Sequence, residues 1–514
     1  MNTFIQKYEP QIKGTLEGWD RIAIRGTIRT LCCVNGMARY LSRIGVLLKN
    51  FGDHVQAMTQ CLINLFNAII EQQDRPIQYL PSPSVRKDEL AREIAQRDGI
   101  TEGTIAGFAA VEPCRTFEIF RNRDTKQLEL RQKHGKCKFL YHYFIDETFG
   151  FMSARIQTWF PFHIQFFMNG REWLARQMDK KNMAYVRDGN CFPDIENFDL
   201  AQKLFDKMHH IDWPRELTRL RKFTHPAHET MLGKLGLDYY WSAYQTEWAG
   251  DIVFDSPEKL AAIYPQLVRG AITAFGSEDV LRFLGRKQCK RFPAGEVMSD
   301  YGNRHEGIRI KHYAQGNSVK AYDKSGNILR IETTINNVNP FRSYRTSENA
   351  PDGEKAWRRM RRGVSDLYRR SEVSQASNDR YAEALATLDT DEELGELLKK
   401  VCNPVRKSGK TYRGLRPFSA EDQALLTALA DGEFVCHGIC NGDLAKRLYD
   451  TDNLDAAERR RVSSRISYRL RILRGHGLIH KIPLQKRYQV SKKARKIITS
   501  FLMLQHATIK QLNA

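Results

Sequence analysis

The chain has 514 residues, 41% of them apolar and 10% aromatic, with a formal net charge of +21. That much apolar side chain can close a large core, which excludes a disordered chain and leaves room for about three domains of ~150 residues each. The basic excess runs along the chain instead of sitting in a tail, so a polyanionic partner bound through counterion release is expected. Ten scattered cysteines form no dense framework, which fits a reducing cytosol and a cytoplasmic protein. MNTFIQKYEPQIKG lacks an apolar signal core, and the longest apolar run is broken by Arg155, Gln157, His163 and Gln165, so no membrane span is expected.

The elements follow in chain order. WDRIAIRGTI (19–28) predicts a first strand, and an amphipathic helix follows near 53–74. PIQYL predicts a short strand, and 87–99 a helix closed by Gly99. Residues 104–167 are strand-rich, with turn signals between the strands. NGREWLARQMDKKN (169–182) predicts a helix started by Asn169, with more helix near 198–235. A second round begins with a strand at 238–254, then a helix capped by Ser256 with Pro257 in its first turn. Residues 307–337 predict three strands joined at Gln315-Gly316-Asn317 and Ser325-Gly326-Asn327. Strand, helix and several strands thus occur twice. KAWRRMRRGVSDLYRR (355–370) predicts a basic helix with Trp357, Met360, Val364 and Leu367 as its apolar stripe. Its Arg358, Arg359, Arg361 and Arg362 are candidate phosphate contacts. Alternating aromatics and arginines in 154–177 suit either base stacking or a core, and the core is favoured.

Residues 456–490 carry the plainest pattern. Val462, Ile466, Leu470 and Leu473 form one helical stripe, Gly475 and Gly477 end the helix, and two short strands follow. Ser463, Arg465, Ser467, Tyr468 and Arg471 take the other faces, and Lys486 and Arg487 lie near the hairpin turn. The segment resembles the winged helix-turn-helix domain, particularly the MarR-like kind, which implies a helix in the DNA major groove and a basic wing on the phosphates.

The sharpest chemical pattern is NSVKAYDKSGNILRIETTI. Lys320, Tyr322 and Lys324 alternate on one strand face, and Arg330 and Glu332 take the matching face of the next strand. Two lysines beside Tyr322 would lower its pKa and make it a nucleophile toward phosphorus. Glu247 and Asp251 share a face of the strand at 238–254, and the first strand supplies Asp20. Glu247, Asp251 and Glu332 are therefore candidate ligands for Mg²⁺ or Mn²⁺, with no organic cofactor expected.

YDK followed by LRIE, with FFMNGREW and an E-x-x-x-D strand before it, resembles the rolling-circle replication initiators of plasmids and filamentous phages across residues 15–340. The resemblance implies a metal-dependent, tyrosine-based DNA nickase and strand-transferase of a bacterial mobile element, transposase-like in chemistry, with Tyr322, Lys320, Lys324 and Asp20 catalytic. The chain departs from that pattern in lacking a His-hydrophobe-His motif, since His142 and His312 have no histidine two residues away, and Tyr301 and Tyr313 lie close enough in sequence to compete with Tyr322.

The expected fold is α+β, with a duplicated mixed or antiparallel sheet. An N-terminal α+β domain spans 1–237, and a second α+β subdomain with the candidate catalytic sheet spans 238–342. A basic helical linker spans 343–415 and the winged helix 416–514. The expected partner is DNA, or a structured RNA, with a homodimer permitted. Two other functions fit the same residues: a non-catalytic RNA-binding component of a ribonucleoprotein or RNA-directed system, and a large winged-helix transcriptional regulator.

Overall fold

The computed structural model describes the chain except residues 83, 286–296, 305–306, 348–349, 351, 389–393, 408, 417, 430–438, 452–453, 483–484, 492–493, 495–496, 499–500 and 502–514. The protein is α+β and builds two compact units that interleave in sequence. One comprises Tyr8–Leu260 and Gln315–Asp379. The other comprises Met1–Lys7, Ala261–Ala314 and Arg380–Ala514. Among the described residues, no helix is long and apolar enough to cross a membrane.

In chain order the main strands are β1 (Ile12–Thr27), β2 (Ile77–Tyr79), β3 (Gly103–Arg121), β4 (Leu128–Asp146), β5 (Gly150–Gln157), β6 (Ile164–Asn169), β7 (Tyr185–Asp188), β8 (Cys191–Ile195) and β9 (Tyr240–Phe254). They continue with β10 (Val297–Arg304), β11 (Gly307–Ala314), β12 (Asn317–Lys324) and β13 (Ile328–Ile335). A long strand, then helices, then a run of hairpin-linked strands therefore occurs once from β1 and again from β9. Within the first unit the sheet order is β12-β13-β9-β1-β6-β5-β4-β3-β2, antiparallel except for the parallel pair β2–β3. The sheet crosses the expected boundary at residue 237, because β1 and β9 pair along almost their whole length.

One sheet face is apolar. Ile22, Ile24, Phe166 and Ala154 belong to a core that also takes Phe66 and Ile70 of helix Phe51–Glu71 and Leu217 and Leu220 of helix Trp213–Thr224. Phe160, Phe162, Phe166 and Trp173 are buried too, so the aromatic run at 154–177 is core. His142 is fully buried and hydrogen-bonds Thr104 at 2.9 Å.

The other face carries the polar residues discussed below. Helix Phe198–Asp206 approaches β1 there because Gly14 and Gly18 present no side chain. A Cβ on Gly18 would stand 2.1 Å from the buried ring of Phe205. Asn169 caps helix Gly170–Asp179 as expected, accepting from the backbone N–H groups of Arg171 and Glu172.

The expected basic helix at 355–370 does not form. Ala356–Arg359 is a strand paired with Arg342–Arg345, and Arg358 and Arg359 lie on it. Trp357 stands across from Tyr344 with ring centroids 5.5 Å apart, an aromatic cross-strand pair that helical spacing cannot make. Asp366 then accepts from the backbone N–H of Arg361 and starts a short turn before helix Leu367–Ala386. Part of the expected linker near 403–414 is likewise a hairpin, Val405–Lys407 with Lys410–Tyr412.

In the second unit, helices Ala420–Leu429, Asn441–Leu448 and Ala456–Gly475 precede a hairpin of Ile479–Lys481 with Tyr488–Val490. Leu425, Leu444, Ile466, Leu470, Leu473 and Ile479 share one core there. Asp455 and Glu458 cap the long helix reciprocally, and Gly477 at φ 70° follows its end.

Gly18→Ala is expected to destabilise the fold by about 1–3 kcal/mol through overpacking against Phe205, read as a lower urea midpoint at unchanged slope.

Candidate metal centre

The polar face of β12, β13, β9 and β1 gathers the chemistry. Register places Arg330 opposite both Asp251 and Tyr322, and Glu332 opposite Lys320 and Ala249. Antiparallel partners share a face, so these side chains are brought together. Asp20 joins them through a bulge. Trp19 pairs with Trp248 and Arg21 with Glu247, which leaves Asp20 as the extra residue on β1. A bulge of this kind re-aims one side chain, here toward Glu247 and Glu332.

Asp20, Glu247 and Glu332 each offer one oxygen, and these oxygens lie within 4.8 Å of one another. Glu332 is fully buried, Asp20 is buried and Glu247 half-buried. Three hard oxygen donors at this spacing suit an oxygen-preferring divalent cation such as Mg²⁺ or Mn²⁺. The crowding shows in the titration. Burial and the neighbouring Glu332 push Glu247 up to about 7. Burial also raises Asp20, against the lowering pull of Arg330.

Asp251 does not join this set, which corrects its expected role as a ligand. Both of its oxygens are taken by Arg330, Nε to Oδ1 at 2.6 Å and Nη2 to Oδ2 at 2.8 Å, and Arg171 lies 3.1 Å from Oδ2. Arg330 also donates to the Asn190 carbonyl at 2.8 Å and stands 3.5 Å from Asp20. Asp251 is thus a counter-ion inside the sheet, and the two guanidiniums hold its carboxyl below the usual range despite burial.

Tyr322 differs from expectation as well. Its hydroxyl donates to Glu332 at 2.9 Å, and its ring is buried. Burial first, then the negative charge of Glu332, raises its pKa well above the ordinary phenol value. The two lysines do not reverse this. Lys320 pairs with Glu332 at 2.6 Å, 5.3 Å from the tyrosine ring centroid, and Lys324 acts on Asp251 and Cys191. The phenol is therefore held protonated. Tyr301 and Tyr313, the competing tyrosines, lie on β10 and β11 in the other compact unit.

Asn190 was invisible to sequence reasoning. It sits at the tip of the β7–β8 hairpin, after Gly189 at φ 56°, and its amide donates to both oxygens of Asp20 at 2.8 and 3.1 Å. The only local signal was Gly189-Asn190, a turn pair in a stretch with little strand patterning. Arg171 was noted among the aromatics, yet it serves the buried charge network.

The candidate nucleic-acid residues of the second unit fall into two groups. Arg465, Tyr468 and Arg471 are exposed on helix Ala456–Gly475, and Lys486 is exposed at the hairpin tip. Ser463 and Ser467 are exposed but engaged by Asn441, which donates to the Ser463 carbonyl at 2.8 Å and the Ser467 hydroxyl at 2.9 Å. Arg487 pairs with Asp443 at 2.7 Å.

No family model matches the chain, and no curated protein does. A solved structure, a di-domain ARO/CYC protein (BexL) from the BE-7585A biosynthetic pathway, aligns over 60% of this chain and 95% of its own, at 10% identity and a TM-score of 0.16. That likeness carries no argument about fold or function.

Two outcomes follow from the charges. Arg330→Ala takes one of the two guanidiniums from buried Asp251 and is expected to cost about 3–5 kcal/mol in chemical denaturation. A Glu247 carboxyl raised in the folded state holds its proton more tightly than in the unfolded chain. Stability therefore falls as pH rises from 4.5 to about 7. Glu247→Gln removes that loss, so the variant gains on the wild type across this window in thermal melts at constant ionic strength.

Proposed function

We propose that this protein is a metal-dependent nuclease that cleaves phosphodiester bonds in DNA, with a winged-helix region at 416–514 that grips the duplex. The convergence of Asp20, Glu247 and Glu332 from three separate strands carries the proposal. Partly buried carboxylates that repel one another are costly to gather, and a divalent cation would offset that cost. A bound Mg²⁺ or Mn²⁺ would supply Lewis acidity toward a phosphoryl oxygen and a more acidic water.

The chain's own groups have defined parts. Asn190 fixes the Asp20 carboxylate from the hairpin. Arg330 and Arg171 neutralise Asp251 and keep the sheet beneath the site charged but balanced. Tyr322 orients Glu332 by donating to it, and Lys320 holds the other Glu332 oxygen while reaching toward solvent, where it suits the charge that develops on phosphate. The buried, protonated phenol favours water over Tyr322 as the nucleophile. Nicking is retained in this reading, and a covalent tyrosyl ester is not part of it. Exposed Arg465, Arg471 and Lys486, with three helices and a basic hairpin, support the DNA-gripping role of the second unit.

The test uses supercoiled and single-stranded DNA with Mg²⁺, Mn²⁺ or EDTA. Wild type is expected to nick with metal only. Asp20→Asn and Glu332→Gln are expected to lose at least about 100-fold in rate, while Tyr322→Phe loses far less and traps no protein–DNA adduct. Absence of metal-dependent cleavage on every substrate overturns the proposal, and a covalent adduct lost in Tyr322→Phe restores the tyrosine mechanism. Because Glu247 must shed its proton to bind a cation, Mn²⁺ is expected to raise the melting temperature more at about pH 8 than at about pH 6.

A further inference from the structure

We infer that the polar face of β1 carries a second, separate binding feature: a row of unpaired arginines seated on aromatic rings, which takes a single nucleic-acid strand and leads it to the carboxylates. Arg21 lies over Phe167 at 5.2 Å, Arg25 over Tyr244 at 5.0 Å and Arg29 over Tyr240 at 3.5 Å. Arg21 and Arg25 stand four residues apart on β1, about 13 Å in extended chain, and Arg29 follows just past its end. Arg362 joins them, because the backbone of 362–363 pairs with β9 at Ala243 and Ser242, and Ser242 is opposite Arg25.

Arg21 feels the charge of Glu247 across the sheet, but the row as a whole carries more positive charge than its neighbours offset. Among the described residues no ion pair forms at Arg21, Arg25, Arg29 or Arg362, in a fold where Arg155, Arg171, Arg219, Arg221 and Arg330 all have acidic partners. The buried Nε of Arg25 has no hydrogen-bond partner. Arg155 and Arg362 press on Arg25 as like charges. Gathering cations without anions is unfavourable in the free protein and is relieved by a polyanion. The row also has a direction, since Arg21 is the direct neighbour of Glu247 across the sheet.

The geometry selects an unpaired strand over a duplex. Arg21, Arg29 and Arg362 are exposed, but Arg25, Phe167, Tyr240 and Tyr244 are half-buried, so a phosphate must descend to the sheet. A flexible single strand can do that, with bases stacking on the rings or on the arginine planes. The purpose assigned to the strand, as substrate, rests on the cleavage reading. The binding itself does not.

The test is fluorescence anisotropy of the full chain in EDTA with labelled single-stranded DNA, single-stranded RNA and duplex DNA. The Arg21→Ala, Arg362→Ala double variant changes only exposed side chains, so folding is expected to be intact. It is expected to weaken single-strand binding about tenfold and to flatten the salt dependence by about 0.7 per lost phosphate contact. Arg25→Ala is expected to add to the loss. Arg465→Ala with Arg471→Ala should weaken duplex binding and leave the single strand unchanged. Glu332→Gln should lose cleavage and keep single-strand binding, which separates failure of the nuclease reading from failure of this one. Equal single-strand affinity in wild type and the Arg21/Arg362 variant, or no single-strand binding at all, overturns the inference. The DNA and RNA arms decide which strand is preferred.

Discussion

The buried guanidinium of Arg330 is the contact on which the site depends. It has no exposure, yet every nitrogen is used: Nε and Nη2 on Asp251, Nη2 again on the Asn190 carbonyl, and Nη1 near Asp20. One side chain on β13 therefore fixes β9, β1 and the tip of the β7–β8 hairpin at once. Moving an ion of this size out of water is expensive unless its hydrogen bonds are met, and these are. Arg330 takes both oxygens of Asp251, while one oxygen each of Asp20, Glu247 and Glu332 lies within 4.8 Å of the others. Without Arg330 this face would hold four carboxylates with one guanidinium fewer to offset them.

Much of this was legible in the sequence, for a definite reason. Alternation is a period of two, and β12 and β13 are joined by a tight turn, so Lys320, Tyr322, Arg330 and Glu332 could be put on one face from spacing alone. Glu247 and Asp251 followed from the same rule. What alternation cannot carry is register across distant strands, and it cannot foresee a bulge. Asp20 reached the site because β1 gains one residue against β9, and only pairing reveals that. The division of labour between Asp251 and Glu332 was equally hidden, because it depends on which carboxylate Arg330 selects, and only the β13–β9 register sets Arg330 across from Asp251.

The failures share one physical origin. Trp357, Met360, Val364 and Leu367 have helical spacing, but the cross-strand partner Tyr344 lies more than ten residues upstream and outweighs local periodicity. Tyr322 beside two lysines looked like a stabilised phenolate because sequence displays neighbours and not burial. In the fold both lysines face carboxylates, and the low-dielectric surroundings act on the phenol first. Near-neighbour charge is a weak guide to pKa whenever desolvation is large.

The arginine row on β1 and the carboxylates beside it pose an electrostatic problem that the arrangement answers. A phosphate brought within about 4 Å of an uncompensated carboxylate meets a repulsion on the order of 4 kcal/mol at an effective dielectric near 20. Three carboxylates together would turn a strand away. Arg21 stands directly across from Glu247, and Lys320 is paired to Glu332, so two of the three carboxylates have a cation beside them. Arg25, half-buried and pressed by the like charges of Arg155 and Arg362, has a buried Nε without a hydrogen-bond partner. Arg21 and Arg25 lie on the same strand as Asp20, so one element carries both cations and one of the three carboxylates, and their spacing is set by a single backbone.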